Sequence, residues 1–419
     1  MDKIVIQGQR PLTGKIRISG SKNAALPILA ATLLTEGKTE IRNVPKLADI
    51  QTMIRLLQGL GLKVQSWNGK VKVHANGYRQ HTAPYELVKT MRASVLVLGP
   101  LLARKGKARV SLPGGCAIGS RPIDLHLKGL EAMGATLKVE HGYVEAEAKR
   151  LRGATVHFDQ VTVTGTENLM MAATLAEGTT VLENAACEPE VIDLAKALQG
   201  LGAKIRGAGT PAITIEGVEK LEGGAYAVMA DRIEAGTFMI AGCFPGGRIL
   251  VQGIHPEWVE ALTLKLREAG AKVEVGSGGI SVTAPRKLKP IDISTAPYPG
   301  FATDLQAQFM ALMTVADGSS VIRENIFENR FMHVGEMIRM GADIRLEGNS
   351  AVVRGVKGLS AAPIMATDLR ASASLVLAGL AAEGITEISR VYHIDRGYEK
   401  IEKKFRKLGA RVKRVKVKY

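Results

Sequence analysis

Aromatic residues make up only 4% of this 419-residue chain, with two tryptophans among them. Proteins that hold single-stranded nucleic acid rely on aromatic stacking platforms, so the scarcity weighs against that class. Cysteine is also rare: Cys116, Cys187 and Cys243 are odd in number, widely spaced and lack a Cys-x-x-Cys pair. That pattern excludes a disulfide framework and fits a reducing compartment. The eight histidines show no metal-ligand spacing, so no metal site is expected. The apolar stretch Ala93–Ala103 is 11 residues long between Arg92 and Arg104. A membrane span needs about 20. Residues 1–5 alternate like a strand and lack the apolar core of a signal peptide. A cytoplasmic protein without membrane insertion is expected.

Glycine and positive charge are in excess. The 46 glycines exceed an average usage of about 7%, and imply many short elements joined by tight turns. A hydrophobic content of 46% is ample for a core and argues against disorder. The formal charge is +16, which points to nucleic acid, a membrane surface or small anionic substrates. Residues 403–419 hold nine Lys and Arg and no acid, leaving +7 on the rest of the chain. Val412, Val415 and Val417 are interspersed among those cations, so the tail reads as a basic edge strand rather than a nucleic-acid-binding arm.

The glycines are periodic. A helix-like run, a Gly-Ala or Gly-Leu pair and an alternating strand recur around Gly61, Gly134, Gly202, Gly270, Gly341 and Gly409. A second set, Gly37, Gly106, Gly178, Gly247, Gly318 and Gly384, lies 23–28 residues earlier in each copy. Glycine after a helix, followed by alternation, is a stop signal. Six units of about 70 residues result, each reading strand, buried helix, strand, amphipathic helix, strand, strand. The first helices, such as Ala24–Leu34 and Ala371–Ala382, are apolar nearly all round and must be buried on every side. In the second helix of unit one, Leu47, Ile50, Ile54, Leu57 and Leu60 share one face. Single cores rarely exceed about 250–300 residues, so two lobes of three units are expected, with a ligand cleft between them. A solenoid is the alternative.

At 14 or 15 residues before each helix-closing glycine stand Lys22-Asn23, Arg92, Thr164, Arg232, Asp304 and Arg370. A helix N-terminus carries a positive dipole and unpaired N–H groups. Four cations at that place are costly unless anions sit nearby. A cleft collecting phosphate and carboxylate groups is one explanation; local ion pairs, such as Arg370 with Asp368, are the other. A Gly-rich loop at 111–122 carries Cys116 five residues before Arg121, surroundings that lower a thiol pKa. Cys187 and Cys243 read as structural, and Trp67 and Trp258 as packing. The run Gly207–Ala212 resembles Gly-x-Gly-x-x-Ala, but a strand follows where a dinucleotide fold needs a helix.

Several motifs together resemble the enolpyruvyl transferases. They are residues 19–27 (SGSKNAALP), 89–94 (KTMRAS), 112–122 (LPGGCAIGSRP), 303–308 (TDLQAQ), 327–331 (FENRF), 366–373 (ATDLRASA) and 393–398 (HIDRGY). The resemblance covers the whole chain. It implies an α/β fold of two inside-out barrel lobes, residues 22–229 and residues 1–21 with 230–419, and an active site in the interlobe cleft. The implied reaction moves the enolpyruvyl group of phosphoenolpyruvate to the 3-hydroxyl of UDP-N-acetylglucosamine and releases phosphate, the first committed step of peptidoglycan synthesis. By the same resemblance Cys116 is the general acid and Asp304 the base, with Lys22 and Arg396 also catalytic. Lys22, Asn23, Arg121, Arg330, Arg370 and Arg396 would bind phosphoenolpyruvate. Arg92, Arg121, Pro122, Ile123, Asp124, Leu125, Gln160, Val161, Thr162, Val163, Asp304 and Ile326 would bind the nucleotide sugar, with Asp368 in support. Some relatives carry Lys where Gln160 stands, which weakens one diphosphate contact. No cofactor or metal is implied, the partners are the two small substrates, and a monomer is expected. The sister reaction on shikimate 3-phosphate is the alternative activity.

Overall fold

A computed structural model describes residues 2–89, 91–112 and 123–416. The described residues form two compact units, 20–112 with 123–229, and 2–19 with 230–416. Each contains three four-stranded sheets, and the first also holds a two-stranded ladder, Thr35–Glu36 beside Leu221–Glu222.

All six sheets follow one plan, clearest in the third repeat. Strand Thr155–His157 runs parallel to Thr179–Glu183, and the buried helix Val163–Ala173 makes the crossover between them. A parallel pair needs such a crossover, whereas antiparallel neighbours need only a turn. Thr179–Glu183 then pairs antiparallel with Ala212–Glu216, the second strand of a hairpin whose first strand is Lys204–Arg206. The Gly207–Ala212 run is therefore a hairpin connection, as its sequence implies.

Strand alternation sets the buried face. Ile249 and Val251 in Arg248–Gln252, and Ile280 and Val282 in Gly279–Thr283, are fully buried while their neighbours are not. The first helix of each repeat is buried at nearly every position, as in Lys22–Ala31, Gln306–Met313 and Ala371–Ala381. Within each unit these helices pack on one another: Gln306–Met313 on Ala371–Ala381, and Leu98–Lys105 on Val163–Ala173. The second helices bury one stripe; Ala48–Gly59 hides Ile50, Ile54 and Leu57 and exposes Gln51, Arg55 and Gln58. Each fully buried Leu or Ile side chain contributes about 1.5–3 kcal/mol.

Two features depart from six contiguous repeats. The parallel edge strand beside Lys38–Arg42 is Ala225–Ala227, and the one beside Arg248–Gln252 is Thr13–Arg17. The strands that precede the first and fourth buried helices are thus exchanged. Ser21 N–H donates to Met229 at 2.8 Å, and Asp231 N–H to Ser19 at 2.9 Å, where the chain makes its two passages. The sixth sheet is completed by the chain's own start: Asp2–Gln7 lies between Ile385–Ser389 and Arg411–Lys416. Within the basic tail, Arg411–Lys416 is an edge strand, as its alternation implies, and residues 403–407 belong to helix Ile401–Lys407. Two of the tail's described cations pair with carboxylates: Lys404 with Glu234 at 2.6 Å, and Arg414 with Asp395 at 2.5 Å, Asp2 at 3.4 Å and Glu402 at 3.6 Å.

Eleven of the twelve repeat glycines have φ between +70° and +141°, the conformation that stops a helix without a Cβ clash. Gly247 is the exception. Its neighbour Gly246 takes the positive φ, and a Cβ at Gly247 would lie 2.5 Å from the carbonyl oxygen of Gly242. Gly247→Ala is accordingly expected to cost about 1–3 kcal/mol, read as a lower urea midpoint at unchanged m-value. An unchanged midpoint would show that the turn yields.

Trp258 packs partly buried against the core, whereas Trp67 is 40% exposed on strand Lys63–Trp67, with Lys72 over its ring. Trp67 is therefore not a core residue. Its strand is a sheet edge, and one face of an edge hairpin is open to water. Cys243 is buried near the end of its helix and burial pushes its thiol pKa up. Cys187 is half-buried and shifted in the same direction, first by burial and then by Glu188. No helix among the described residues is long and apolar enough to cross a membrane.

Candidate active site

In the unit containing residues 230–416, the start of each buried helix carries a charged group. Asp304 sits in the turn Thr303–Leu305, which feeds helix Gln306–Met313. Arg330 reaches it from another element: Nη2 lies 2.6 Å from Asp304 Oδ1, and Nη1 donates to Thr303 Oγ1 at 2.8 Å. Arg370, whose side chain is 2% exposed, approaches from the other side. Its Nε is 3.4 Å from Asp304 Oδ2, its Nη2 3.4 Å from Asp231 Oδ2, and its Nη1 donates to the Gly397 carbonyl at 3.1 Å. Burial works against the charge on this guanidinium, but Asp231, Tyr398 and Asp304 together outweigh it and hold the pKa above its ordinary value.

Helix capping fixes these carboxylates. Asp231 Oδ1 accepts from Ile233 and Glu234 N–H at 2.9 and 3.0 Å, which caps Arg232–Ala241 and leaves Oδ2 for Arg370. Asp368 Oδ1 accepts from the backbone N–H groups of Arg370 and Ala371 at 2.7 and 2.8 Å. The side-chain pair between Arg370 and Asp368 considered from sequence is thus replaced. Asp368 holds the helix start, and Asp231, 139 residues from Arg370, takes its guanidinium.

Arg396 is half-buried in the turn Ile394–Arg396. Ile326 is half-buried, and its N–H donates to Glu324 Oε1 at 2.9 Å. His333 is fully buried beside Asp368 and Arg330, and burial lowers its pKa to about 4, so it is neutral at pH 7. The unit therefore brings Asp304, Arg330 and Arg370 into direct contact. Asp304 keeps 24% of its side-chain exposure between two cations.

In the unit containing residues 20–229, Lys22 opens helix Lys22–Ala31, which Ser21 caps through Ala24 N–H at 3.3 Å. Lys22 is 8% exposed, and its Nζ lies 3.4 Å from Asp49 Oδ2. A protein carboxylate thus offsets the cation at this helix start. Asn23 follows, half-buried. Arg92, also half-buried, opens the turn Arg92–Val97, which packs against helix Lys22–Ala31. Ile123 and Leu125 are half-buried and Asp124 is exposed at the start of Asp124–Ala132. Gln160 and Val161 are exposed, and Thr162 caps Val163–Ala173 by accepting from Gly165 N–H at 3.2 Å. Buried among these elements, His126 contacts Asn168 at 2.9 Å and Thr164 at 3.3 Å, with its pKa lowered to about 4 by burial. Cys116, Arg121 and Pro122 lie outside the described residues.

Sequence reading missed Asp49, Asp231, Thr303, Glu324 and His333. Asp231 stands one residue before a singled-out position and caps its helix, so cap chemistry could have found it; Thr303 falls within the quoted 303–308 motif but received no role. Asp49, Glu324 and His333 carry no local signal.

A family model described as EPSP synthase (3-phosphoshikimate 1-carboxyvinyltransferase) matches residues 6–405. The chain belongs to this family. Within it, the chain is 61% identical over 416 residues to the UDP-N-acetylglucosamine 1-carboxyvinyltransferase of Geobacter metallireducens, covering 99% of this chain and 100% of the relative. It is 58% identical over 419 residues to the enzyme of the same name from Myxococcus xanthus, covering 99% and 100%. Among solved structures, the enolpyruvyl transferase NikO from Streptomyces tendae superposes with a TM-score of 0.88 at 26% identity, over 99% of both chains. An EPSP synthase from Acinetobacter baumannii reaches 0.75 at 17% identity over 99% and 100%, a likeness of fold. The mixed α/β fold read from the sequence is therefore that of the enolpyruvyl transferases.

Proposed function

We propose that this family member transfers the enolpyruvyl group of phosphoenolpyruvate to the 3-hydroxyl of UDP-N-acetylglucosamine and releases phosphate, opening peptidoglycan synthesis. The observation that carries the reading is full-length identity of about 60% to enzymes named for that acceptor. The Asp304, Arg330 and Arg370 cluster supports it chemically.

The chemistry runs as addition and then elimination. Cys116 gives a proton to C3 of phosphoenolpyruvate while the sugar 3-hydroxyl attacks C2. Asp304 takes the hydroxyl proton. The adduct then loses a proton from C3, and the C2–O bond to phosphate breaks. The enol phosphate carries its own leaving group, so the step calls for no metal or organic cofactor. Lys22, Asn23, Arg121, Arg330, Arg370 and Arg396 hold the phosphate and carboxylate of phosphoenolpyruvate. Arg92, the Arg121–Leu125 segment, Gln160–Val163, Asp304 and Ile326 hold the nucleotide sugar, with Asp368 in support. Water would capture positive charge developing at C2, so we infer that the reaction takes place in a closing cleft between lobes 22–229 and 1–21 with 230–419. Each lobe is read as an inside-out barrel of three repeats, in a cytoplasmic monomer. Three sheets per unit around buried helices support that reading.

Phosphate release from phosphoenolpyruvate with each acceptor tests the substrate. Release that depends on UDP-N-acetylglucosamine and ignores shikimate 3-phosphate is expected; the reverse dependence would overturn the assignment.

A further inference from the structure

Glu324 lies in the interior, 2% exposed, yet no proposed chemical step uses it. Its carboxylate is saturated. Oε1 accepts from Thr295 Oγ1 at 3.0 Å, Ile326 N–H at 2.9 Å and Phe327 N–H at 3.2 Å, and Oε2 accepts from Thr303 Oγ1 at 2.8 Å. A threonine hydroxyl has one proton. Because Thr303 donates it to Glu324, its lone pairs face Arg330, whose Nη1 donates to Thr303 at 2.8 Å and whose Nη2 holds Asp304 at 2.6 Å. The polarity of the chain from Glu324 to Thr303, Arg330 and Asp304 is therefore set at its buried end.

We propose that Glu324 is a positioning residue for the transfer reaction: through Thr303 it orients Arg330 on Asp304, and through Ile326 N–H it fixes the adjoining segment. The inference rests on Asp304 being the base, as read above. Thr303 is the relay and Arg330 the group that touches the carboxylate. Among the described residues, Arg330 and Arg370 face Asp304 directly, Asp231 stands behind Arg370, Glu324 behind Thr303, and His333 lies near both Arg330 and Asp368.

Glu324→Gln separates the two roles. An amide oxygen directed at Ile326 and Phe327 N–H preserves the segment, but the amide nitrogen then faces Thr303. Thr303 then accepts from it with one lone pair, and its proton loses the acceptor that fixed its direction, so the second lone pair is no longer held toward Arg330. Thr303→Val removes the relay and leaves every charge in place. Arg330 loses an anchor, less positive charge is held at Asp304, and the carboxylate becomes easier to protonate.

Steady-state kinetics on full-length Glu324→Gln, Thr303→Val and Thr303→Ser decide the matter, with Asp304→Asn alongside. General-base assistance contributes about 10²–10⁴-fold, so partial misplacement is expected to lower kcat by roughly tenfold or more in the first two variants, with KM for the nucleotide sugar little changed. The acid limb of kcat against pH should move to higher pH in Thr303→Val, and Thr303→Ser should restore both rate and limb. Parent-like kcat in Thr303→Val, a loss confined to KM, an unmoved acid limb or no rescue by serine each overturns the proposal. If Glu324→Gln fails to fold, the two Thr303 variants still decide it. Parent-like turnover in Asp304→Asn would instead remove the assigned base, a separate failure.

Discussion

Cys116→Ala is expected to lose turnover by about 10²–10⁴-fold, the contribution of a positioned general acid. Cys116→Ser should fall as far, because an alcohol is too weak an acid to protonate C3. Cys116→Asp should keep measurable turnover with an altered pH profile. An aspartic acid donates only while protonated, and its ordinary pKa is about 3.9 against about 8.5 for cysteine. Its rate should therefore decline with rising pH well below the range where the parent enzyme declines. Cys243→Ala and Cys187→Ala serve as controls. Cys243 is buried with a raised thiol pKa and Cys187 is shifted the same way, so neither is poised for proton transfer near neutrality. Parent-like kcat in Cys116→Ala would remove the acid from the mechanism.

The second large effect is on stability as well as rate. Arg370→Met keeps an unbranched stem and removes the charged guanidinium. Asp231, itself buried, then loses the guanidinium that was 2% exposed, while Asp304 keeps Arg330 at 2.6 Å. Removing one partner from a buried ion pair costs about 3–5 kcal/mol. A fall of that size in unfolding free energy is expected by urea denaturation, together with loss of turnover. A loss below about 1 kcal/mol would mean that Asp231 finds another partner.

The repeat was legible because it is written in backbone chemistry. A helix stop followed by a strand demands positive φ, and glycine meets that demand at Gly61, Gly134 and nine further positions. The exchange of Thr13–Arg17 with Ala225–Ala227 was not legible from the residues themselves, since each strand would fit either sheet by alternation. Pairing across 185 and 235 residues leaves no local trace. The site divides in the same way. Lys22, Arg92, Asp304 and Arg370 stand at a fixed distance from a repeat glycine, so their register gave them away. Their carboxylate partners did not follow from register: Asp49 lies in another helix, and Asp231 is 139 residues from Arg370. The cations at helix starts are thus partly offset by protein carboxylates, which sequence reading had to leave open.

The most direct measurement is the reaction of phosphoenolpyruvate with UDP-N-acetylglucosamine in heavy water, read by mass spectrometry and proton NMR of the product. Protonation of C3 makes a methyl group that carries one deuterium, and elimination then removes either hydrogen isotope. A 3-O-enolpyruvyl ether with deuterium in its methylene and stoichiometric phosphate is expected. An ether whose methylene carries no deuterium, or phosphate released without any ether, would contradict addition followed by elimination on this acceptor.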